Sequence, residues 1–169
     1  MSLGTNIAIM NHGVIQQYDT PKNIYNMPNN TFVADFIGSP SMNLISGQIV
    51  KDANNTSFIP EGSNQSNSIS IKNYNFVKPI DVSSNDVYFG IRPEHIHYKK
   101  TIDADFEVNL RADLKEYIGH EQIITFNYCS QEILGKFPST VKIETGKEMQ
   151  LFFDLSQISI FDKKTNKRI

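Results

Sequence analysis

A mainly β fold is predicted: a barrel or sandwich of short strands, preceded by one β-hairpin and two short helices. Two observations predict it. From Met42 onward, β-branched and aromatic residues gather in short runs separated by turn formers, and helical periodicity disappears. Before that point the helical stripes are brief and are stopped by prolines. With 39% apolar and 20% charged residues over 169 positions, the chain has the balance that buries a core.

The elements follow in order. Ile7-Ala8-Ile9-Met10 and Val14-Ile15-Gln16-Gln17-Tyr18 flank Asn11-His12-Gly13, which reads as two strands around a tight turn with Gly13 at positive φ. Thr20 caps and Pro21 opens a first helix carrying Ile24, Tyr25 and Met27, and Pro28 ends it. Asn29, Asn30 or Thr31 caps a second, whose Phe32, Val33, Phe36 and Ile37 form one apolar stripe. Gly38 closes that helix and Ser39-Pro40 prevents its continuation. Strands are then expected over 43–51, 57–59, 68–71, 87–91, 106–117, 122–129, 132–137, 149–154 and 158–161. In the fifth of these, Phe106, Val108 and Leu110 alternate with Glu107, Asn109 and Arg111, so one face is buried. Residues 61–67 read as a mobile hairpin tip and 163–168 as a frayed tail.

Composition excludes several classes. A net charge of −2 without a block of like charges leaves no electrostatic footprint for nucleic acid or anionic lipid. The single cysteine, Cys129, cannot staple the fold, and a reducing cytoplasm fits best. No window approaches the roughly 20 apolar residues that span a bilayer. Met1-Ser2-Leu3 starts no pattern, and reads as an expression leader on a truncated chain.

The motifs that carry chemistry are weak. Leu44-Ile45-Ser46-Gly47-Gln48 almost spells the nucleotide-contacting phrase Leu-Ser-Gly-Gly-Gln, but it runs into Gln48-Ile49-Val50 as a strand, not into a helix N-terminus. No phosphate loop is present: the lysines that follow glycine, Lys136 and Lys147, precede Phe137 and Glu148. His95, His97 and Glu94 lack a further metal ligand. Cys129 with His120 is rejected as a catalytic pair because Cys129 falls in a strand interior, as a small core hydrophobe. The sequence therefore offers no catalytic, cofactor-binding or metal residues. In Gly90-Ile91-Arg92-Pro93-Glu94-His95, Pro93 stops a strand and leaves Arg92 and Glu94 at its end, which physics alone reads as a salt-bridged corner.

Taken as an ordered set, three phrases resemble a known family. The run from Ile7 to Phe36-Ile37-Gly38-Ser39-Pro40 and Met42-Asn43 looks like the end of the ATPase domain of maltose-type and glycerol-3-phosphate-type ABC importer subunits. Gly90 to His95, and Glu116-Tyr117-Ile118-Gly119-His120-Glu121, resemble the hallmarks of the OB-type accessory module, called TOBE, that follows it. The resemblance implies an ATPase edge over 4–40 and an OB-like regulatory domain over 41–162, which leaves the leader over 1–3 and a tail over 163–169. It also implies a homodimer through the regulatory domain, permease subunits reached through the ATPase domain, and in some relatives a regulator. ATP and magnesium would belong to the full-length parent, placed at the inner face of the cell membrane. Phe36, Gly38, Ser39 and Pro40 are the expected hinge, and Arg92, Pro93, Glu94, Glu116, Gly119 and Glu121 the expected structural and interface residues. Apolar faces at Ile7, Ile9, Phe32 and Phe36 are expected to need a partner. Three rivals stand beside this reading: a stand-alone module for an oxyanion or sugar, a single-strand binder stacking bases on Phe126 and Tyr128, and an independent enzyme.

Overall fold

The computed structural model describes residues 4–52, 55–63, 67–77, 85–100 and 106–169. Strands β1 (Ile7–Asn11) and β2 (Val14–Asp19) form an antiparallel hairpin, followed by helices α1 (Pro21–Asn26) and α2 (Thr31–Phe36). The caps lie where the sequence puts them. Thr20 Oγ1 accepts from Asn23 N–H at 3.3 Å and Asn30 Oδ1 from Val33 N–H at 2.9 Å, each satisfying a helix-end donor.

Ten further strands follow: β3 (Asn43–Asp52), β4 (Asn55–Pro60), β5 (Ile69–Ser70), β6 (Asp86–Ile91), β7 (Ile96–His97), β8 (Phe106–Ile118), β9 (Glu121–Tyr128), β10 (Gln131–Pro138), β11 (Glu148–Phe153) and β12 (Ser159–Asp162). They make two five-stranded antiparallel sheets, ordered β10-β9-β8-β11-β7 and β12-β6-β3-β4-β5. Strand β8 serves two neighbours, its first half pairing with β11 and its second with β9. A bulge between Ala112 and Leu114 separates the halves. Both sheets feed one core, in which Phe58 stacks on Phe89 and Phe126 meets Phe137 edge-on.

Two side chains close the barrel. Asn43 on β3 donates through Nδ2 to Leu134 O at 2.9 Å and accepts from Leu134 N–H at 2.8 Å. Gln131 on β10 does the reverse, accepting from Ser46 N–H at 2.6 Å and donating to Ser46 O at 3.0 Å. Each amide thus imitates a peptide group and joins the edge strand β10 to the first half of β3, the stretch that β4 does not cover.

Four expectations need correction. The tail is not frayed: Thr31 N–H donates to Asn166 O and Arg168 N–H to Asn29 O, both at 2.9 Å, while Ile169 N–H reaches Ile160 O. Its polar composition misled, because what holds it is backbone hydrogen bonding. Cys129 lies outside the strand, in the two-residue turn between β9 and β10, where Cys129 and Ser130 both have positive φ. Asn127 Oδ1 accepts from Ser130 N–H and steadies this non-glycine turn. Of the apolar residues expected to need a partner, Ile9 is buried and Ile7 and Phe32 are half-buried against Ile24 and Val33 in a small core of their own, while Phe36 stays exposed. Strand β7 was not anticipated, because two residues are too few to show a pattern. Of the expected hairpin tip, Glu61 is tied to Lys163 by an ion pair at 3.2 Å, and residues 64–66 lie outside the described residues.

Candidate functional site

The seam between the hairpin-helix unit and the β domain is built around Arg92. Strand β6 ends at Ile91, and Pro93, fixing its own φ, opens a single 3-10 turn over Pro93–His95. Arg92 is thereby aimed back at the helices, with 1% of its surface exposed. Its Nε and Nη2 donate to Tyr25 O at 3.0 and 2.5 Å, and its Nη1 donates to Ile37 O at 2.7 Å. The guanidinium also lies 3.7 Å from the centre of the Tyr25 ring, a cation–π contact. One buried cation thus collects the backbone carbonyls that α1 and α2 leave unpaired at their ends.

The corner is not the expected Arg92–Glu94 salt bridge. Glu94 instead accepts a hydrogen bond from the Tyr25 hydroxyl. Arg92 and Glu94 hold the same tyrosine from two sides, one by its ring and carbonyl and the other by its phenol. Burial, then the bond to Glu94, pushes the Tyr25 phenol up to about 12. Burial also lowers Arg92, against the pull of Tyr25 and Glu94.

Gly38 belongs to the same seam. At φ +125° it occupies backbone space that other residues rarely adopt, and a Cβ there would stand 2.9 Å from Arg92 Nη1 and 2.9 Å from Pro40 O. The expected residues Gly38, Arg92, Pro93 and Glu94 therefore come together. Phe36 points outward, stacked on Phe32 at 5.7 Å, and Ser39 is exposed beside the cis peptide to Pro40. Ala34, Met42 and Phe161 form a second buried contact across the seam.

Glu116, Gly119 and Glu121 lie elsewhere, at the end of β8, on the turn and at the start of β9. Gly119 takes φ +62° at the first turn position, and Glu121 pairs with Lys136 at 2.9 Å. Around them stand three large apolar side chains in the open: Leu114 (54% exposed), Tyr117 (64%) and Ile118 (58%). The bulge at 112–114 turns this end of β8 out of the core. A second exposed set, Met10, Val14, Ile15 and Tyr18, lies on the β1–β2 hairpin, with Met10, Ile15 and Tyr18 on its outer face.

Other candidates dissolve. His120 and Cys129 flank the eight-residue strand β9 at opposite ends, about 30 Å apart at the usual rise per residue. Phe126 and Tyr128 are buried in the core and present no stacking face. His95 lies in the 3-10 turn, where burial lowers its pKa, and its Nδ1 has no partner among the described residues. No group of three metal-ligating side chains occurs among the described residues. Gly47 of the near-signature lies inside β3, where a Cβ would meet Ile59 O at 2.4 Å.

With fold and seam in place, the class follows. Residues 38–96 match the family described as the MalK OB fold domain, and this span holds β3 to β6, Gly38 and the Arg92 corner. Over its whole length the chain is 32% identical to the trehalose/maltose import ATP-binding protein MalK of Thermococcus litoralis, covering 45% of it. It is 30% identical to the oligosaccharides import ATP-binding protein MsmX of Bacillus subtilis, again end to end, covering 46%. The chain thus spans less than half the length of these relatives. Its homologues are ATP-binding subunits of sugar ABC importers, whose C-terminal part it matches. Among solved structures, the cytoplasmic molybdate-binding protein ModG superposes with a TM-score of 0.50 at 10% identity, over 70% of this chain and 94% of that one, a likeness of fold. No helix among the described residues is long and apolar enough to cross a membrane.

Proposed function

We propose that this chain is the regulatory and dimerising part of an importer's ATP-binding subunit, and does no chemistry of its own. The observation that carries the reading is the exposed trio Leu114, Tyr117 and Ile118. Leu114 and Ile118 share one face of β8 and Tyr117 takes the other, so a partner that wraps the end of this hairpin would cover all three. A second copy of the chain is the partner that fits: a two-fold axis near the turn sets the patch against itself, with Glu116 and Lys115 on either flank to find opposite charges across it. The outer face of the β1–β2 hairpin then rests on the rest of the subunit, the part that binds ATP in the relatives' names. ATP and magnesium are bound there, and permease subunits are reached through it. The subunit works in the cytoplasm, peripheral at the inner face of the membrane, and a regulatory protein acts by favouring one arrangement of the pair.

Between the two exposed faces the Arg92 seam acts as a stiff joint, so that motion of a catalytic domain is passed to the clasp. Site-specific oxidation tests the pairing. In a Cys129→Ser background, Tyr117→Cys is expected to form an intermolecular disulfide rapidly under mild oxidant, and a cysteine placed at exposed Asp35 is not. Equal rates at both positions contradict the reading.

A further inference from the structure

Beside the seam, and away from both exposed apolar faces, a half-open cleft of about 940 Å³ lies between the end of α1, the turn after β5, the 3-10 turn at Leu155–Gln157 and the C-terminal tail. Its size is that of a small-molecule site. Two cations line it, Lys72 and Arg168, and its described lining contains no acidic residue, although the chain as a whole is net negative. Neither cation forms an ion pair among the described residues. Amides from Asn26, Asn75 and Gln157 add neutral donors and acceptors, and Phe106 supplies an apolar wall.

We propose that this cleft binds a small phosphorylated polyol of the sugar phosphate class. The lining matches the ligand part by part. A guanidinium and an ammonium without carboxylate partners among the described residues suit a phosphate, since charge-assisted bonds to its oxygens need no competing anion. Carboxamides both donate and accept, as neighbouring hydroxyl groups require, and an aromatic wall receives the apolar face of a sugar ring. Two cations are too few to hold a polyanion such as nucleic acid against the negative whole. The cleft also has a place from which to act. Asn26 comes from the hairpin-helix unit and the other named residues from the β domain, and Asn26 directly follows Tyr25, whose carbonyl Arg92 grips. A ligand touching both walls favours the docked seam by its greater affinity for that arrangement.

Calorimetric titration of the full chain with glucose 6-phosphate, glucose and inorganic phosphate tests this. Glucose 6-phosphate is expected to bind with a stoichiometry of one, about tenfold or more tighter than glucose or phosphate alone. Lys72→Gln and Arg168→Gln are each expected to weaken it by about tenfold or more. Lys72 is exposed and Arg168 holds the fold through its backbone, so both variants keep the parent's unfolding temperature. In an amide spectrum, Asn26 and Gln157 shift on saturation. Absence of binding at millimolar glucose 6-phosphate, equal affinity for glucose, or unchanged affinity in both variants overturns the proposal. Because the titration reads the cleft whether or not the chain self-associates, its failure leaves the clasp reading standing, and the converse holds too.

Discussion

Arg92 shows how much one side chain can organise when its partners are backbone carbonyls. Those carbonyls stand 67 and 55 residues earlier in the chain, and nothing in the local sequence of Gly90 to His95 points to them. Pro93 announced a corner; only the fold supplied what the corner holds. Replacing Arg92 with Met keeps much of the volume but strands two buried acceptors, and is expected to cost about 3 kcal/mol or more in urea unfolding. Lys at the same place should recover little, since it lacks both the fork and the planar face that lies on Tyr25. His95 sets a pH dependence of definite sign. Burial holds its folded pKa below the ordinary value, outweighing the opposing charges of Glu94 and Asp154, while His97 and Arg92 add to the lowering. The unfolded chain therefore takes up the proton first as pH falls below about 6.5. Stability is full above that pH and declines beneath it, and His95→Asn should flatten the decline in unfolding curves recorded between neutral and mildly acid pH.

At the scale of elements, most strands were legible because alternation survives in them, as in Phe106, Val108 and Leu110. The two hairpin-unit helices were legible through Thr20, Pro21 and Asn30. What was not legible depends on contacts between distant segments. Asn43 read as the last letter of a linker phrase, yet it serves as a peptide surrogate that closes β3 onto β10, 91 residues away. Asn43→Leu leaves Leu134 N–H and C=O without partners in a half-buried place, and a loss of about 1–3 kcal/mol is expected from denaturant unfolding. The tail was misjudged for a related reason, since polar side chains conceal backbone pairing. Removing residues 166–169 breaks the bonds to Asn29, Thr31 and Ile160 and should lower the thermal midpoint by several degrees in calorimetry.

Seen whole, the molecule is a closed β domain with a hairpin-helix unit pinned to it by Arg92, and with two apolar faces left in the open. The exposed residues on β1–β2 and those at the β8–β9 turn are separate sets. The family phrases fall around the β8–β9 turn through Glu116, Gly119 and Glu121, but the exposure of Leu114, Tyr117 and Ile118 beside them depends on the bulge, which no local pattern announces. Sedimentation equilibrium of the chain and of its Tyr117→Glu, Ile118→Glu double variant, at tens of micromolar as interfaces of ordinary size require, tests the clasp most directly. The account predicts a dimer for the parent and a folded monomer for the variant. A monomeric parent, or a variant that remains dimeric, contradicts it.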